Sequence, residues 1–164
     1  MVIETAKVVA SVVGGLYERF RQWQDARDDA EALEKLVCLE LRRNLALLDA
    51  LRLEDAPQDS AAFLEAAKLL ESEVLEQVFL PGKGSSRLRE RLDRRAADSD
   101  PDDDGDSVPV TNYLMRLYVR IVAIQKIAAL SQEAQGLRKI RYGTRLCNIQ
   151  SRAAQSLTWI ESGD

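Results

Sequence analysis

Apolar residues recur at three- and four-residue intervals along most of this 164-residue chain. That spacing lines them up on one side of an α-helix, where they can pack against a neighbouring element. Four prolines and eight glycines interrupt the chain only rarely, and 5% of its residues are aromatic. A sheet would instead require alternating runs rich in β-branched and aromatic residues. The sequence therefore predicts an all-α fold, an antiparallel bundle of four to five long helices in a single domain over residues 1–164.

Turn-forming residues divide the chain into five predicted helices. We expect them at about residues 3–25, 29–53, 60–80, 110–135 and 137–160. Pro57 precedes the third helix, and Pro81 with Gly82 ends it, as is typical of residues that stop helices. Gly143 marks either a kink in the last helix or its true start. Asn44 interrupts a leucine-rich stripe, and we expect it at the edge of the bundle; the alternative is a buried polar group that fixes helix register.

Residues 81–109 differ in composition from the predicted helices around them. A basic stretch is followed by an acidic run that contains Asp98, Asp100, Asp102, Asp103, Asp104 and Asp106. A connection of this length far exceeds the usual helix–helix loop of roughly 2–8 residues. We therefore predict a charged, partly flexible insertion. Leu88, Leu92 and Ala96 fall every fourth residue within it, which permits a short helix.

The chain contains no histidine, which removes many familiar catalytic and metal-binding arrangements. Ser-His-Asp triads, Cys-His pairs and histidine metal ligands are excluded. Cys38 and Cys147 are too few for a cysteine zinc site, and we expect buried free thiols. We therefore predict no enzyme activity, cofactor, metal or small-molecule substrate. An enzyme or metal site built from carboxylates alone stays open as a third interpretation, because Asp and Glu can still transfer protons.

The acidic run partly matches a calcium-binding EF-hand loop. Asp100, Asp102, Asp104 and Gly105 stand where such a loop has its first ligands and its glycine. The loop also needs a bidentate Glu at its twelfth position, which here is Thr111. The mismatch favours a solvated acidic linker over a specific cation site.

Charge is divided unevenly along the chain, although the net charge is only −4. Residues 1–106 carry a large excess of acids, whereas residues 107–160 contain eight bases and the single acid Glu133. The pattern favours acidic helices that pair with basic ones inside the bundle. A basic face for a partner is the alternative, and the negative net charge argues against nucleic acid as that partner.

These observations predict a non-enzymatic interaction module that acts through protein–protein contacts or self-assembly as a homo-oligomer. Its helix faces or its charged insertion would contact the partner electrostatically. The candidate partner-binding residues are the bases of the insertion and of the start of the last predicted helix: Arg87, Arg89, Arg91, Arg94, Arg95, Arg138, Lys139, Arg141 and Arg145.

The alternative is a membrane-active bundle of the cell-death or defence type, which would use residues 2–17. Small residues there recur every fourth position and allow close helix approach. The candidate membrane or oligomer contacts are Val8, Val9, Val12, Val13, Gly14, Gly15 and Leu16. The simpler interpretation is a well-buried first helix. No apolar run reaches the roughly 18–20 residues of a membrane span, and Glu4 argues against a basic leader, so we predict a cytoplasmic protein.

Overall fold

A computed structural model describes residues 30–51, 53, 61–96, 109–130 and 140–162. Within these ranges the chain forms six helices: α1 (Ala30–Asp49), α2 (Ala61–Leu69), α3 (Glu73–Phe79), α4 (Lys83–Ala96), α5 (Val110–Ala128) and α6 (Tyr142–Glu161). The described ranges contain no strand, which confirms the predicted all-α class. No helix in them is long and apolar enough to cross a membrane. The predicted helix at 3–25, with the candidate contacts Val8 to Leu16, lies outside the described residues.

The helices pack around one apolar core. α1 packs mainly against α6 and also against α3 and α4, and α5 packs against α2, α4 and α6. The periodic apolar positions face inward because each such side chain gains about 1.5–3 kcal/mol on burial. The largest fully buried side chains come from all six helices: Leu41, Leu48, Phe63, Leu75, Leu88, Leu92, Leu114, Leu117, Ile121, Ile124, Leu146 and Ile149.

α4 occupies about half of the stretch predicted as an insertion. Its Leu88 and Leu92 are buried in the core, as their four-residue spacing permits. The Ser86 N–H donates to the Gly82 carbonyl over 3.0 Å and begins the helix. The Ser85 hydroxyl donates to the Leu80 carbonyl over 2.8 Å. The basic stretch therefore belongs to the packed part of the molecule, while residues 97–108 lie outside the described ranges.

The third predicted helix, at 60–80, is two helices in the structure. α2 ends at Leu69 and α3 begins at Glu73, with no proline or glycine between them. The backbone of the intervening residues bonds to side chains of other helices instead of continuing the helical pattern. The break is thus imposed by tertiary contacts, which local propensity does not encode.

The last helix begins later than the periodicity predicts. α6 starts at Tyr142, and Arg141 before it adopts the left-handed conformation with φ of 52°. Gly143 therefore lies at the true start of the helix and marks no kink within it. α5 likewise ends at Ala128, earlier than the predicted residue 135.

Candidate interaction surface

Glu40 of α1 is a buried carboxylate that caps another helix. It is 2% exposed, and it accepts the Val74 N–H over 2.8 Å and the Leu75 N–H over 2.9 Å. Both N–H groups belong to the first turn of α3, whose own N-cap residue Ser72 makes no side-chain capping bond. Burial raises the pKa of Glu40 to about 7; the two backbone bonds oppose the rise, and the nearby carboxylate of Glu73 adds to it.

Asn44, one turn further along α1, holds the segment between α2 and α3. It is 1% exposed, its Nδ2 donates to the Glu71 carbonyl, and its Oδ1 accepts the Glu71 N–H, each over 2.8 Å. The expectation of an edge position is wrong. Asn44 is buried because its amide matches the two backbone groups that the broken helix leaves without helical partners.

A second helix, α5, also bonds to the segment between α2 and α3. The Gln125 side chain of α5 donates to the Leu70 carbonyl and accepts the Ser72 hydroxyl over 3.4 Å. The Arg43 guanidinium lies 3.3 Å from the Glu71 carboxylate. Polar side chains of α1 and α5 therefore hold the segment between α2 and α3 in place, and their role is structural.

Most predicted partner-binding arginines of α4 also contact the protein itself. Arg91 forms an ion pair with Glu34 of α1, and Arg89 donates to the Val78 carbonyl. Arg94 pairs with Glu90 one turn away on α4. Arg95 lies in the last turn of α4. Arg87 is exposed and lines an open cavity of about 750 Å³, together with Phe79, Pro81, Gly82, Lys83, Ser86 and Arg89.

Of the predicted bases near α6, Arg145 contacts backbone rather than an acid. Arg145 is exposed, and its Nε donates to the Ile140 carbonyl over 2.9 Å. Arg141 is exposed at the residue before α6. Arg138 and Lys139 lie outside the described residues. The structure therefore brings this predicted group together only in part.

A base of α6 that the sequence analysis did not select packs against an aromatic pair. The Arg152 guanidinium lies 4.8 Å from the centroid of the Tyr113 ring, a distance typical of cation–π contacts. The Tyr113 and Trp159 rings meet edge to face at 4.7 Å. The Tyr113 hydroxyl donates to Gln155 over 2.6 Å. These contacts join the first turn of α5 to the second half of α6.

Each acid in the described ranges has a contact inside the fold. Most of them pair with a base; Glu40, Asp49, Glu73, Glu76 and Asp93 instead contact backbone N–H groups or uncharged side chains. The ion-paired acids are Glu31, Glu34, Glu65, Glu71, Glu90 and Glu161. Every described acid is thus engaged within the described part of the molecule, although only those six are paired with a base.

The outer face of α5 is different, and we call it the α5 face. It consists of Met115, Arg116, Val119, Arg120 and Lys126, all of them exposed. Val119 is 54% exposed and Met115 38%, so part of each apolar side chain is open to solvent. The side chains of Arg116, Arg120 and Lys126 form no ion pair and no hydrogen bond with another described residue.

Arg116, Arg120 and Lys126 belong to the basic stretch at 107–160, but they are not among the residues predicted as a site from the sequence. The signal was present in the spacing, because Arg116 and Arg120 stand four residues apart beside Met115 and Val119 with the same separation. The apolar stripe of α5 already implies that this side faces outward, but only the structure shows that no described acid pairs with these bases. Among the described residues, no base of 109–160 pairs with an acid, so the favoured internal pairing of acidic with basic helices is not found there.

No family model, no curated protein and no solved structure matches this chain. We therefore infer function from the chemistry of the surface itself. Groups of three or more residues able to hold a metal ion are absent from the described ranges. The α5 face is the candidate site that the geometry supports best.

Proposed function

We propose that the protein is a non-enzymatic interaction module, an antiparallel helical bundle that binds a protein partner through an exposed cationic helix face. One observation carries the proposal: described acids are all engaged within the fold, whereas Arg116, Arg120 and Lys126 are exposed without a described partner. Such cations contribute little to folding, since even paired surface charges are worth about 0–1 kcal/mol.

Charges of this kind act more on association than on stability. A cluster of one sign steers an oppositely charged partner and excludes partners of like charge. Self-assembly is the second form of the proposal, in which another copy would supply the acids. We place the module in the cytoplasm, where the free Cys38 and Cys147 thiols would stay reduced. The membrane-active alternative depends on residues 2–17, and no described residue favours it.

Quantitative capture from a lysate of the source cells tests the proposal. Wild-type protein is compared with R116E/R120E and with the matched control K35E/K68E, which changes the charge equally at exposed lysines outside the α5 face. We expect R116E/R120E to lose at least one specifically captured protein that the control retains. Light scattering of the same three proteins shows whether a second copy is the partner. Identical capture and identical mass for all three would contradict the proposal.

A further inference from the structure

The α5 face combines an apolar row with a basic row. Met115 and Val119 are separated by one helical turn, and Arg116 and Arg120 are separated by the same turn on the adjacent side. Lys126 extends the basic character toward the end of α5. At 1.5 Å per residue, positions 115 to 126 span roughly 17 Å, or about three helical turns.

We propose that the α5 face binds an acidic amphipathic helix of another protein. This inference rests on the proposed function and names its partner class. The apolar row of the partner would cover Met115 and Val119, and its flanking Asp or Glu carboxylates would pair with Arg116, Arg120 and Lys126. Two helices that pack side by side have this pattern, with apolar residues every three or four positions and charged residues on the flanks.

The mixture of apolar and basic side chains favours an acidic helix as the partner over a nucleic acid or an anionic membrane. A nucleic-acid surface contacts bases with phosphates and uses exposed aromatic rings for stacking, whereas Met115 and Val119 offer neither charge nor a ring. Helices that insert into membrane interfaces carry Trp, Phe or Leu on the apolar face. On α5 the half-buried Tyr113 and Tyr118 instead contact Trp159 of α6 and Phe79 of α3.

The described acids of a second copy are less suited to the α5 face than those of a different protein. The exposed acids of the described ranges already contact their own chain, as Glu31 does with Lys35 and Glu65 with Lys68. These described acids of a second copy would have to leave their present partners in order to pair with Arg116 or Arg120. A partner with unengaged carboxylates forms the same ion pairs without that loss.

Three synthetic peptides of about 18 residues serve as probes. The first forms an amphipathic helix with Leu every three or four residues and Glu on both flanks of the apolar row. The second replaces each Glu by Gln, and the third has the composition of the first in an order that leaves no apolar row. The chain has two methionines, Met1 and Met115, so methyl-labelled methionine gives an NMR signal from the α5 face itself.

We expect the first peptide to bind the full-length chain and to shift the Met115 methyl signal. Its Kd, measured by fluorescence anisotropy, should rise at least tenfold for R116E/R120E and less than twofold for K35E/K68E. The R116K/R120K variant keeps both charges and should bind within about threefold of wild type. The Gln peptide and the reordered peptide should each bind at least fivefold more weakly than the first. A circular-dichroism spectrum confirms that each variant is folded.

Several results would overturn the proposal. One is a Met115 methyl signal that does not move when the first peptide is added. Another is equally tight binding of the reordered peptide, which would indicate that charge alone determines binding. A third is tighter binding of duplex DNA, or of vesicles with 30% anionic lipid, than of the peptide, with a shift of the same signal. A fourth is a tenfold rise in peptide affinity when the aspartates of 98–106 are replaced by Asn, which would indicate that the chain's own acidic run competes for the α5 face.

The two proposals fail in different ways. If the peptides do not bind but lysate capture still depends on Arg116 and Arg120, the interaction module stands and the helical partner is wrong. If capture is also unchanged in R116E/R120E, the interaction function through the α5 face is wrong as well.

Discussion

Charged residues do different work in the two halves of the described molecule. In residues 30–96 they join elements together: Arg91 links α4 to Glu34 of α1, and Glu40 caps α3. In residues 109–162 no described base pairs with an acid, and Arg116 and Arg120 lie on an exposed helix face. Arg91 and Glu40 of the first half contact other helices of the fold, whereas Arg116 and Arg120 of the second half have no described partner.

The net charge of a stretch of sequence therefore does not show which of its charged side chains have partners in the fold. Residues 1–106 have the larger number of acids, yet each acid described there has a contact within the fold. The basic second half keeps several cations without a described partner. Substitutions in the two halves should therefore affect stability very differently.

The largest effect is expected at Glu40. Glu40→Ala leaves the buried N–H groups of Val74 and Leu75 without an acceptor, and each such group costs about 1–3 kcal/mol. We expect urea denaturation to show a loss of about 3 kcal/mol in the free energy of unfolding. Glu65→Ala removes an exposed acid that pairs with Lys68 and should change it by less than about 0.5 kcal/mol. Equal losses in both variants would show that the cap on α3 is unimportant.

Glu40 should also make stability depend on pH. Its pKa is raised from 4.5 to about 7 on folding, so the folded protein holds the proton in this window more tightly than the unfolded chain. The free energy of unfolding should therefore fall by roughly 2 kcal/mol between pH 5 and pH 7.5 because of this group. Glu71 and Glu73 face the same carboxyl and remain in Glu40→Gln.

Urea denaturation of wild type and Glu40→Gln at both pH values isolates this contribution. Wild type should lose stability relative to Glu40→Gln as the pH rises. A difference between the two proteins that is the same at pH 5 and pH 7.5 would show that Glu40 titrates normally.

Asn44→Ala should lower the free energy of unfolding by about 2 kcal/mol, because the Glu71 N–H and carbonyl both lose their partner. Asn148 provides the matched control, since it is an exposed asparagine on α6. Asn148→Ala should shift the unfolding midpoint in urea very little. Similar midpoints for the two variants would mean that water satisfies Glu71 as well as Asn44 does.

Periodicity was sufficient to predict helices and much of the core, because a buried stripe depends only on the spacing of residues such as Leu114, Leu117 and Ile121. The break between α2 and α3 was not predictable in this way. It depends on Asn44 and Gln125, which lie far from the break in sequence.

The candidate surface was predictable only in part for a similar reason. The sequence shows that Arg91 and Arg116 are bases at helical positions, but not which one lies beside an acid. Arg91 meets Glu34 because α4 packs on α1, whereas the outer side of α5 faces no other described helix at Arg116. Pairing is a property of packing, so charge counts alone do not distinguish Arg91 from Arg116.

The most direct test of this contrast compares the free energies of unfolding of Arg91→Gln and of Arg116→Gln/Arg120→Gln in the full chain. Removing Arg91 takes away the guanidinium that pairs with the largely buried carboxylate of Glu34, and we expect a loss of about 1 kcal/mol. Removing both arginines of the α5 face should change stability by less than about 0.5 kcal/mol. A loss above about 1 kcal/mol in the double variant would contradict the account, because it would show that these cations already have partners within the chain.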